Sequence, residues 1–210
     1  MSHEATALDT IDAGLGTGLD AGLDDVAVED RVVLLDDAHR PIGSAPRESV
    51  HGTDTPLHLA YSCWVLDDAG RLLLTRRALA KRSWPGVWTN AFCGHPRPGE
   101  ELTAAVARGA AHELGTDVTD IAPLLPDFRY RAVDSAGIVE NEFCPVFTAR
   151  AVGEVDLHPD EAVEHQWLTI PALRAALTSA PWALSPWLRE QAARLDDRAW
   201  SSLGDREVRS

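Results

Sequence analysis

Two apolar stretches, each broken by a cluster of turn-forming residues, constrain the fold of this chain more than any other feature. In residues 58–78 the break is DDAG, and in residues 128–152 it is SAG. Because such clusters reverse the chain between two extended runs, each stretch predicts a β-hairpin. Residues 101–115 (ELTAAVARGAAHELG) predict a helix that ends at Gly115, a residue type common just beyond a helix C-terminus.

The rest of the chain adds elements of both kinds. RVVLLDD and EHQWLTI predict strands, whereas the Gly- and Pro-rich residues 79–99 predict irregular structure. Residues 171–180 and 181–195 predict two late helices, the second kinked or delayed by Pro186. Hairpins combined with one central and two late helices indicate an α+β or α/β/α layered domain.

Composition sets the expected domain limits. Residues 1–30 hold eight Asp or Glu, no Lys or Arg and no aromatic side chain. Such a segment buries too little apolar area to offset its ordering entropy, so residues 1–29 are predicted to be a disordered acidic tail. The folded domain is predicted over residues 30–195, and the polar residues 196–210 are predicted to be a C-terminal tail that frays.

The net charge of −14 comes mostly from the N-terminal segment. Setting aside its eight acids leaves 25 acids against 19 basic residues, and this mildly acidic body argues against a nucleic-acid partner. There is no run of eighteen apolar residues and no secretory signal, so no membrane partner is expected.

Three cysteines are too few for a disulfide framework, which favours a reducing cytoplasm. A monomer is favoured, and the oligomeric state stays open.

Three histidines and two glutamates are candidates for a metal site. Glu140 and Glu142 alternate in a strand pattern and share one face, where two carboxylates repel unless a cation or proton lies between them. With His51, His58 and His95 they would offer nitrogen and oxygen ligands that suit Zn²⁺ or Mn²⁺ better than Ca²⁺. The alternative is a solvent-facing hairpin edge with structural histidines.

A basic cluster in the otherwise acidic chain indicates an anion site. Arg76, Arg77, Lys81 and Arg82 fall within seven residues, and Lys81 is the only lysine among nineteen basic residues. Such a cluster suits a phosphate group, with a lysine acting as a point charge. A solvated charged loop is the alternative reading.

The segment from Gly94 to Gly115 follows part of a known pattern. Its spacing matches the Nudix pattern G-x5-E-x7-R-E-U-x-E-E-x-G-U at Glu100, Arg108 and Glu113. Two of the glutamates of the pattern are replaced, by Gly109 and His112. A Nudix hydrolase needs that carboxylate cluster to hold several Mg²⁺ ions against a diphosphate.

Several longer blocks resemble the type I isopentenyl-diphosphate delta-isomerases, a branch of the Nudix superfamily. They include HGTDTPLHLAYSCWVL, LLLTRRALAKRSWPGVWTNAFCGHPRPGE, DFRYRAVDSAGIVENEFCPVF and PWALSPW, and they cover roughly residues 30–190. The combination of WTNxxCGHP with the GIVENE block is highly specific. The resemblance implies a Nudix-like mixed sheet flanked by helices and a prenyl diphosphate as the small-molecule substrate.

The resemblance also implies roles for individual residues. Cys93 and Glu142 match the catalytic acid/base pair, and Tyr130 and Trp187 match aromatics that line the isoprenoid pocket. The residues that match the ligands of one divalent metal, Mn²⁺ or Zn²⁺, are His51, His58, His95, Glu140 and Glu142.

The diphosphate end of the site is implied in the same way. Glu113 matches the side-chain ligand of a Mg²⁺ that also meets the Cys93 carbonyl and the diphosphate. Arg47, Arg77 and Lys81 match diphosphate-binding bases. Gly109 stands where relatives often carry an arginine that reaches the diphosphate, so that contact is missing or is supplied by Arg97 or Arg108.

The expected activity is therefore the interconversion of isopentenyl and dimethylallyl diphosphate by protonation and deprotonation. No redox cofactor is expected for this reaction, and no GxGxxG motif occurs. Three alternatives are a Nudix diphosphate hydrolase, an isomerase-like cyclase acting on a longer prenyl diphosphate, and a non-catalytic, metal-stabilised binding module.

Overall fold

The computed structural model describes residues 30–204, which form two β-sheets, five α-helices and one short 3-10 helix (Pro181–Ala183). The strands of the first sheet are β1 (Arg31–Leu35), β2 (Pro41–Pro46), β3 (His58–Leu59), β9 (Arg129–Val133) and β10 (Val139–Phe143). Their order is β2-β1-β3-β10-β9, and β3 and β10 run parallel. Glu142 therefore lies beside His58 on one flank and beside Tyr130 on the other, which brings three predicted site residues together.

The second sheet is larger and more buried. Its strands are β4 (Tyr61–Leu66), β5 (Leu72–Arg77), β6 (Trp88–Asn90), β7 (Phe92–Gly94), β8 (Val118–Leu125), β11 (Val146–Ala151) and β12 (Ala162–Leu168). The main order is β12-β5-β4-β11-β8, while β6 pairs with β5 and β7 pairs with β4. The β7 pairing places Cys93 opposite Ser62.

Two segments cross from one sheet to the other at the same level. Strands β3 and β4 are separated only by Ala60, and β10 and β11 are separated by Cys144 and Pro145. Ala60 N donates to Phe143 O at 2.9 Å, and Ser62 N donates to Pro145 O at 3.1 Å, so the crossing segments stay paired. The sheets diverge from this junction and leave space between them for a site.

The helices cover both faces of the second sheet. Helix α1 (Arg47–Val50) is a single turn near the junction, and α2 (Leu102–Glu113) packs its small buried residues against Tyr61 and Phe92. On the opposite face lie α3 (Ile170–Ser179), α4 (Pro186–Arg194) and α5 (Asp197–Gly204), which pack against Trp64 and Leu72. Helix, sheet and helix form successive layers, as the sequence predicts.

The first predicted hairpin is only partly correct. Strands β4 and β5 meet around the DDAG turn, but they pair directly only at Leu66 and Leu72. Beyond that point β6 and β7 insert between them, so the prediction of irregular structure is wrong for residues 88–90 and 92–94. The apolar run of β5 needs a partner on both edges, and these short strands supply it.

The second predicted hairpin is confirmed over β9 and β10 and wrong beyond them. Residues 146–151 form β11 in the other sheet, parallel to β4, rather than a continuation of β10. Pro145 has no N–H to continue the ladder. Strand β8 was not predicted, because its residues alternate irregularly between partly buried and exposed positions.

The C-terminal region is more ordered than predicted. Helices α3 and α4 confirm the two late helices, and α4 begins at Pro186 behind a Ser185 cap that accepts from Leu188 N at 3.3 Å. The expected fraying is wrong for residues 197–204, because α5 buries Trp200 and Leu203 in the core.

The predicted tail of residues 1–29 lies outside the described residues. Within residues 30–204, none of the helices has the length and apolar character needed to cross a membrane.

Candidate active site

A cavity of about 370 Å³ lies where the two sheets diverge. A volume of this size is typical of small-molecule sites, which run from roughly 300 to 1,000 Å³. Eleven of the twelve residues predicted for the site line it, namely Arg47, His51, Arg77, Lys81, Cys93, His95, Glu113, Tyr130, Glu140, Glu142 and Trp187. The twelfth, His58, is completely buried directly behind Glu142.

Histidine and glutamate side chains converge on one side of this cavity. The ligand atoms of His51, His58, His95 and Glu142 all lie within 4.8 Å of one another. Glu142 Oε1 is 3.2 Å from His95 Nε2 and 3.5 Å from His58 Nε2. Glu140 adjoins the cluster, with its Oε2 2.9 Å from His51 Nε2 and its Oε1 accepting a short hydrogen bond from Ser83.

The hydrogen bonding of His58 fits a metal ligand. Its Nδ1 lies 2.9 Å from the carbonyl of Pro56, which can only accept, so Nδ1 carries the proton in the neutral ring. The bare Nε2 then faces His95 Nε2 at 3.2 Å, and two imidazole nitrogens gain little from such an approach without a shared proton or cation. A ligating histidine that donates its other N–H to a backbone carbonyl is the usual arrangement in metal sites. These residues therefore form a group suited to a divalent metal.

The charges of this cluster depend strongly on one another. Burial by itself would lower the pKa of His51, but the neighbouring Glu140 and Glu142 carboxylates outweigh it and raise that pKa to about 9. For His95, burial dominates and lowers the pKa. Burial opposes ionisation of Glu142, yet its hydrogen bonds with the three histidines hold its pKa well below the usual value.

Cys93 presents its sulfur to the cavity from β7 in the other sheet. Its Sγ lies 3.3 Å from Ser62 Oγ and 3.6 Å from both side-chain polar atoms of Asn90. Burial, followed by the Glu142 charge, raises the pKa of the thiol to about 12, although the hydrogen bond with Ser62 acts in the opposite direction. The thiol therefore holds its proton at neutral pH.

Aromatic side chains enclose the same region. Tyr130 Oη donates to Glu142 Oε2 at 2.9 Å, on the opposite oxygen from the histidines. The rings of Tyr130 and Trp187 lie 5.8 Å apart, and Trp84 meets Trp187 edge-on at 5.6 Å. Tyr130 and Trp187 are buried, and they line the cavity beside Cys93 and Glu142 with aromatic surface.

The basic side chains that line the cavity each have a partner within the protein. Arg47 pairs with Asp30 at 2.7 Å, and Arg77 donates to the Ser83 carbonyl while its guanidinium lies 5.3 Å over the Trp187 ring. Lys81 donates a short hydrogen bond to Glu161. An ammonium has three hydrogens, so Lys81 can bind Glu161 and an anion at once.

Two carboxylates, Glu113 and Glu161, line the cavity near Lys81. Burial and then the Glu161 charge raise the pKa of Glu113 to about 8, whereas Lys81 and Arg77 act in the opposite direction. Two adjacent acids favour a bound cation, because it removes their repulsion. Sequence reasoning identified Glu113 and missed Glu161, which lies in a turn after β11 with no recognisable motif.

Gly109 faces a neighbour that leaves no room for a side chain. A Cβ built there would lie 2.1 Å from Tyr61 Oη. Tyr61 lines a second cavity of about 250 Å³ with Arg97 and Arg108. Arg108 binds both oxygens of Glu100 at 2.7 Å and donates to the His95 carbonyl, so its guanidinium holds the loop before α2.

Comparisons with known proteins identify the family to which this chain is similar. The model of the NUDIX domain matches residues 56–191. A protein of Frankia alni named isopentenyl-diphosphate Delta-isomerase is 56% identical over 178 residues, which cover 85% of this chain and 88% of that protein. A protein of the same name from Agromyces mediolanus is 58% identical over 164 residues, covering 78% and 80%.

Solved structures support the fold. The crystal structure of a Deinococcus radiodurans protein matches with a TM-score of 0.61 at 19% identity and covers 79% of this chain and 98% of that one. At this identity the likeness is one of architecture alone.

Proposed function

The chain belongs to the isopentenyl-diphosphate Delta-isomerases within the Nudix family, and we propose that the cavity between its two sheets is where the reaction takes place. The protein is an isomerase of isoprenoid metabolism that acts on a small prenyl diphosphate. The observation that carries the proposal is the placement of Cys93 and Glu142, from strands of different sheets, on one cavity.

The reaction needs two proton transfers and no net gain or loss of atoms. One group gives a proton to the terminal CH₂ carbon of isopentenyl diphosphate, which leaves positive charge on the tertiary carbon. A second group takes a proton from the adjacent methylene, and the new double bond yields dimethylallyl diphosphate. Cys93 and Glu142 form this acid/base pair, and they exchange roles in the reverse direction.

The surrounding residues fix the pair and protect the charged intermediate. Tyr130 holds one oxygen of Glu142 while the histidines face the other, so the carboxylate has a single orientation. The Trp187 ring faces the cavity, and a cation over an aromatic face gains roughly 0.5–2 kcal/mol. Exclusion of water prevents capture of the carbocation as an alcohol.

The diphosphate lies at the basic end of the cavity. Arg47, Arg77 and Lys81 donate hydrogen bonds to its oxygens, which are charge-assisted and therefore strong. When bound, Mn²⁺ or Zn²⁺ at His51, His58, His95, Glu140 and Glu142 neutralises the buried carboxylates, and Mg²⁺ at Glu113 neutralises the diphosphate. The neighbouring Glu161 holds Lys81 in place beside that second position.

Substitution of the pair tests the proposal. Cys93→Ala and Glu142→Gln should each abolish turnover of isopentenyl diphosphate, and Cys93→Ala should keep the metal bound at the histidine cluster. Cys63→Ala is the matched control, because Cys63 is buried on the other face of β4 and does not line the cavity. Turnover is measured by product analysis, and bound metal is measured by mass spectrometry. Turnover by Cys93→Ala, or full loss of its metal, would contradict separate roles for Cys93 in proton transfer and for the histidine cluster in metal binding.

A further inference from the structure

A chain of buried polar side chains connects helix α4 to the Cys93 sulfur. Gln191 of α4, Ser62 and Trp64 of β4, and Asn90 of β6 are almost completely excluded from water. Buried amides and hydroxyls cost free energy unless they are hydrogen-bonded. Apolar side chains could fill the same space without needing partners, so these groups point to a task beyond packing.

The orientation of the Gln191 amide follows from the donor it meets. The Trp64 indole N–H can only donate, and it lies 2.7 Å from Gln191 Oε1. The amide nitrogen Nε2 therefore faces Ser62 and donates to Ser62 Oγ at 3.0 Å. Gln191 Oε1 also lies 3.4 Å from the Ser62 hydroxyl, a longer contact than the 3.0 Å that Nε2 of the same amide makes with Ser62 Oγ.

Of the two acceptors near the single hydroxyl hydrogen of Ser62, Cys93 Sγ has the better distance: 3.3 Å is ordinary for a bond to sulfur, whereas the 3.4 Å to Gln191 Oε1 is beyond the roughly 2.5–3.0 Å of an O–H···O bond. Ser62 Oγ accepts from Gln191 Nε2 and lies 2.9 Å from Asn90 Nδ2, a second donor. Cys93 Sγ lies 3.3 Å from the same hydroxyl. On the other side of the sulfur, Asn90 Oδ1 at 3.6 Å is placed to accept from the thiol. Asn90 Nδ2, also at 3.6 Å, is a second donor, so Cys93 Sγ is held by the Ser62 hydroxyl on one side and by the Asn90 amide on the other.

We propose that Ser62 and Gln191 are positioning residues for Cys93. Ser62 holds the sulfur toward the cavity by donating to it, and Gln191, itself oriented by Trp64, keeps the Ser62 hydrogen directed at the sulfur. This inference rests on the proposed role of Cys93 in proton transfer.

Steady-state kinetics of Ser62→Ala test the proposal. We expect kcat to fall about tenfold, the equivalent of ~1.4 kcal/mol, with an unchanged KM for isopentenyl diphosphate, because the substrate still binds while the sulfur loses its orientation. Ser62→Thr keeps a hydroxyl and should recover most of kcat. Thr148→Val is the matched control, since it removes a buried hydroxyl from the neighbouring strand β11 and should leave kcat unchanged.

A double substitution tests whether Gln191 acts through Ser62. Gln191→Met should lower kcat, and Ser62→Ala/Gln191→Met should be no slower than Ser62→Ala alone, because the two changes remove one contact to the sulfur. Wild-type kcat in Ser62→Ala, or losses that multiply in the double variant, would overturn the proposal. If Ser62→Ala does not fold, unchanged kcat in Gln191→Met overturns it. Full turnover by Cys93→Ala would instead refute the proposed function.

Discussion

At the scale of single residues, Lys81 is the clearest case of a feature that the sequence singles out and the structure places in context. Its rarity among eighteen arginines indicated a special role, and it lies in the cavity beside Glu161 and Glu113. The ion pair with Glu161 was not predictable, because the two residues are eighty positions apart. The pair holds the ammonium at the position where the diphosphate is proposed to bind.

Lys81→Ala should lower kcat/KM about ten- to hundredfold, because it removes a charge-assisted hydrogen bond worth roughly 1.5–3 kcal/mol. Lys81→Arg should recover only part of the loss, since a planar guanidinium does not reproduce a compact ammonium. Arg71→Ala is the control: it removes one positive charge next to the DDAG turn, where Arg71 pairs with Asp67, and it should leave kcat/KM unchanged. Wild-type kcat/KM in Lys81→Ala would mean that Arg47 and Arg77 hold the diphosphate without it.

The absence of a side chain at Gly109 makes room for the Tyr61 hydroxyl. We expect a net destabilisation of Gly109→Ala by about 1–3 kcal/mol, because the overlap of its Cβ with the Tyr61 hydroxyl outweighs the gain of ~1 kcal/mol in helix propensity. Adding Tyr61→Phe to Gly109→Ala should restore part of the lost stability, because it removes that hydroxyl. Gly153→Ala, whose Cβ meets only an ordinary contact with Thr116, is the control. Urea denaturation measures all four proteins, and equal stability of Gly109→Ala and wild type would contradict the geometry.

The sequence predicts most of the residues that line the candidate site, but it does not predict the contacts that support them. The motifs around Cys93 and Glu142 pointed to the residues that line the cavity. Ser62, Gln191 and Glu161 carry no such signal, since a lone buried Ser or Gln becomes meaningful only when its partner is known. Their partners come from strands and helices far apart in the chain.

At the scale of elements, capping and turn residues predicted the long helices and the turns. The short strands depend instead on pairing between segments that are distant in the sequence. Helix α2 ends before Gly115, which adopts a φ of 61°, and α4 begins at Pro186, both as expected from capping chemistry. The short strands β6 and β7 exist only because β4 and β5 separate and accept them. No periodicity in three residues could have predicted them.

Helix α5 gives the sharpest test at this scale. Trp200→Ala should cost about 3–5 kcal/mol of unfolding free energy, because it empties a buried site against Trp64 and the α3 side chain of Arg174. Trp182→Ala, at a position 83% exposed, should change stability by no more than about 0.5 kcal/mol. Chemical denaturation of the two variants compares them directly. Equal stability would mean that residues 197–204 fray as the polar sequence suggested.

At the scale of the whole molecule, the site exists because two sheets share two crossing segments and then diverge. One sheet contributes Glu142, Tyr130 and His58, and the other contributes Cys93. The proposed acid/base pair, Cys93 and Glu142, is therefore positioned by the junction itself, and neither sheet alone holds both groups. The cytoplasmic location and the monomeric state expected from the sequence stay predictions.

Isomerisation in heavy water shows whether this chain moves a double bond by proton transfer. The full chain, supplied with Mg²⁺, is incubated with isopentenyl diphosphate in D₂O, and the products are examined by NMR and mass spectrometry. We expect dimethylallyl diphosphate that carries deuterium in a methyl group, with no phosphate or diphosphate released and no cyclised product, and we expect no deuterium uptake with Cys93→Ala. Release of phosphate without isomerisation, or dimethylallyl diphosphate formed without deuterium, would contradict it.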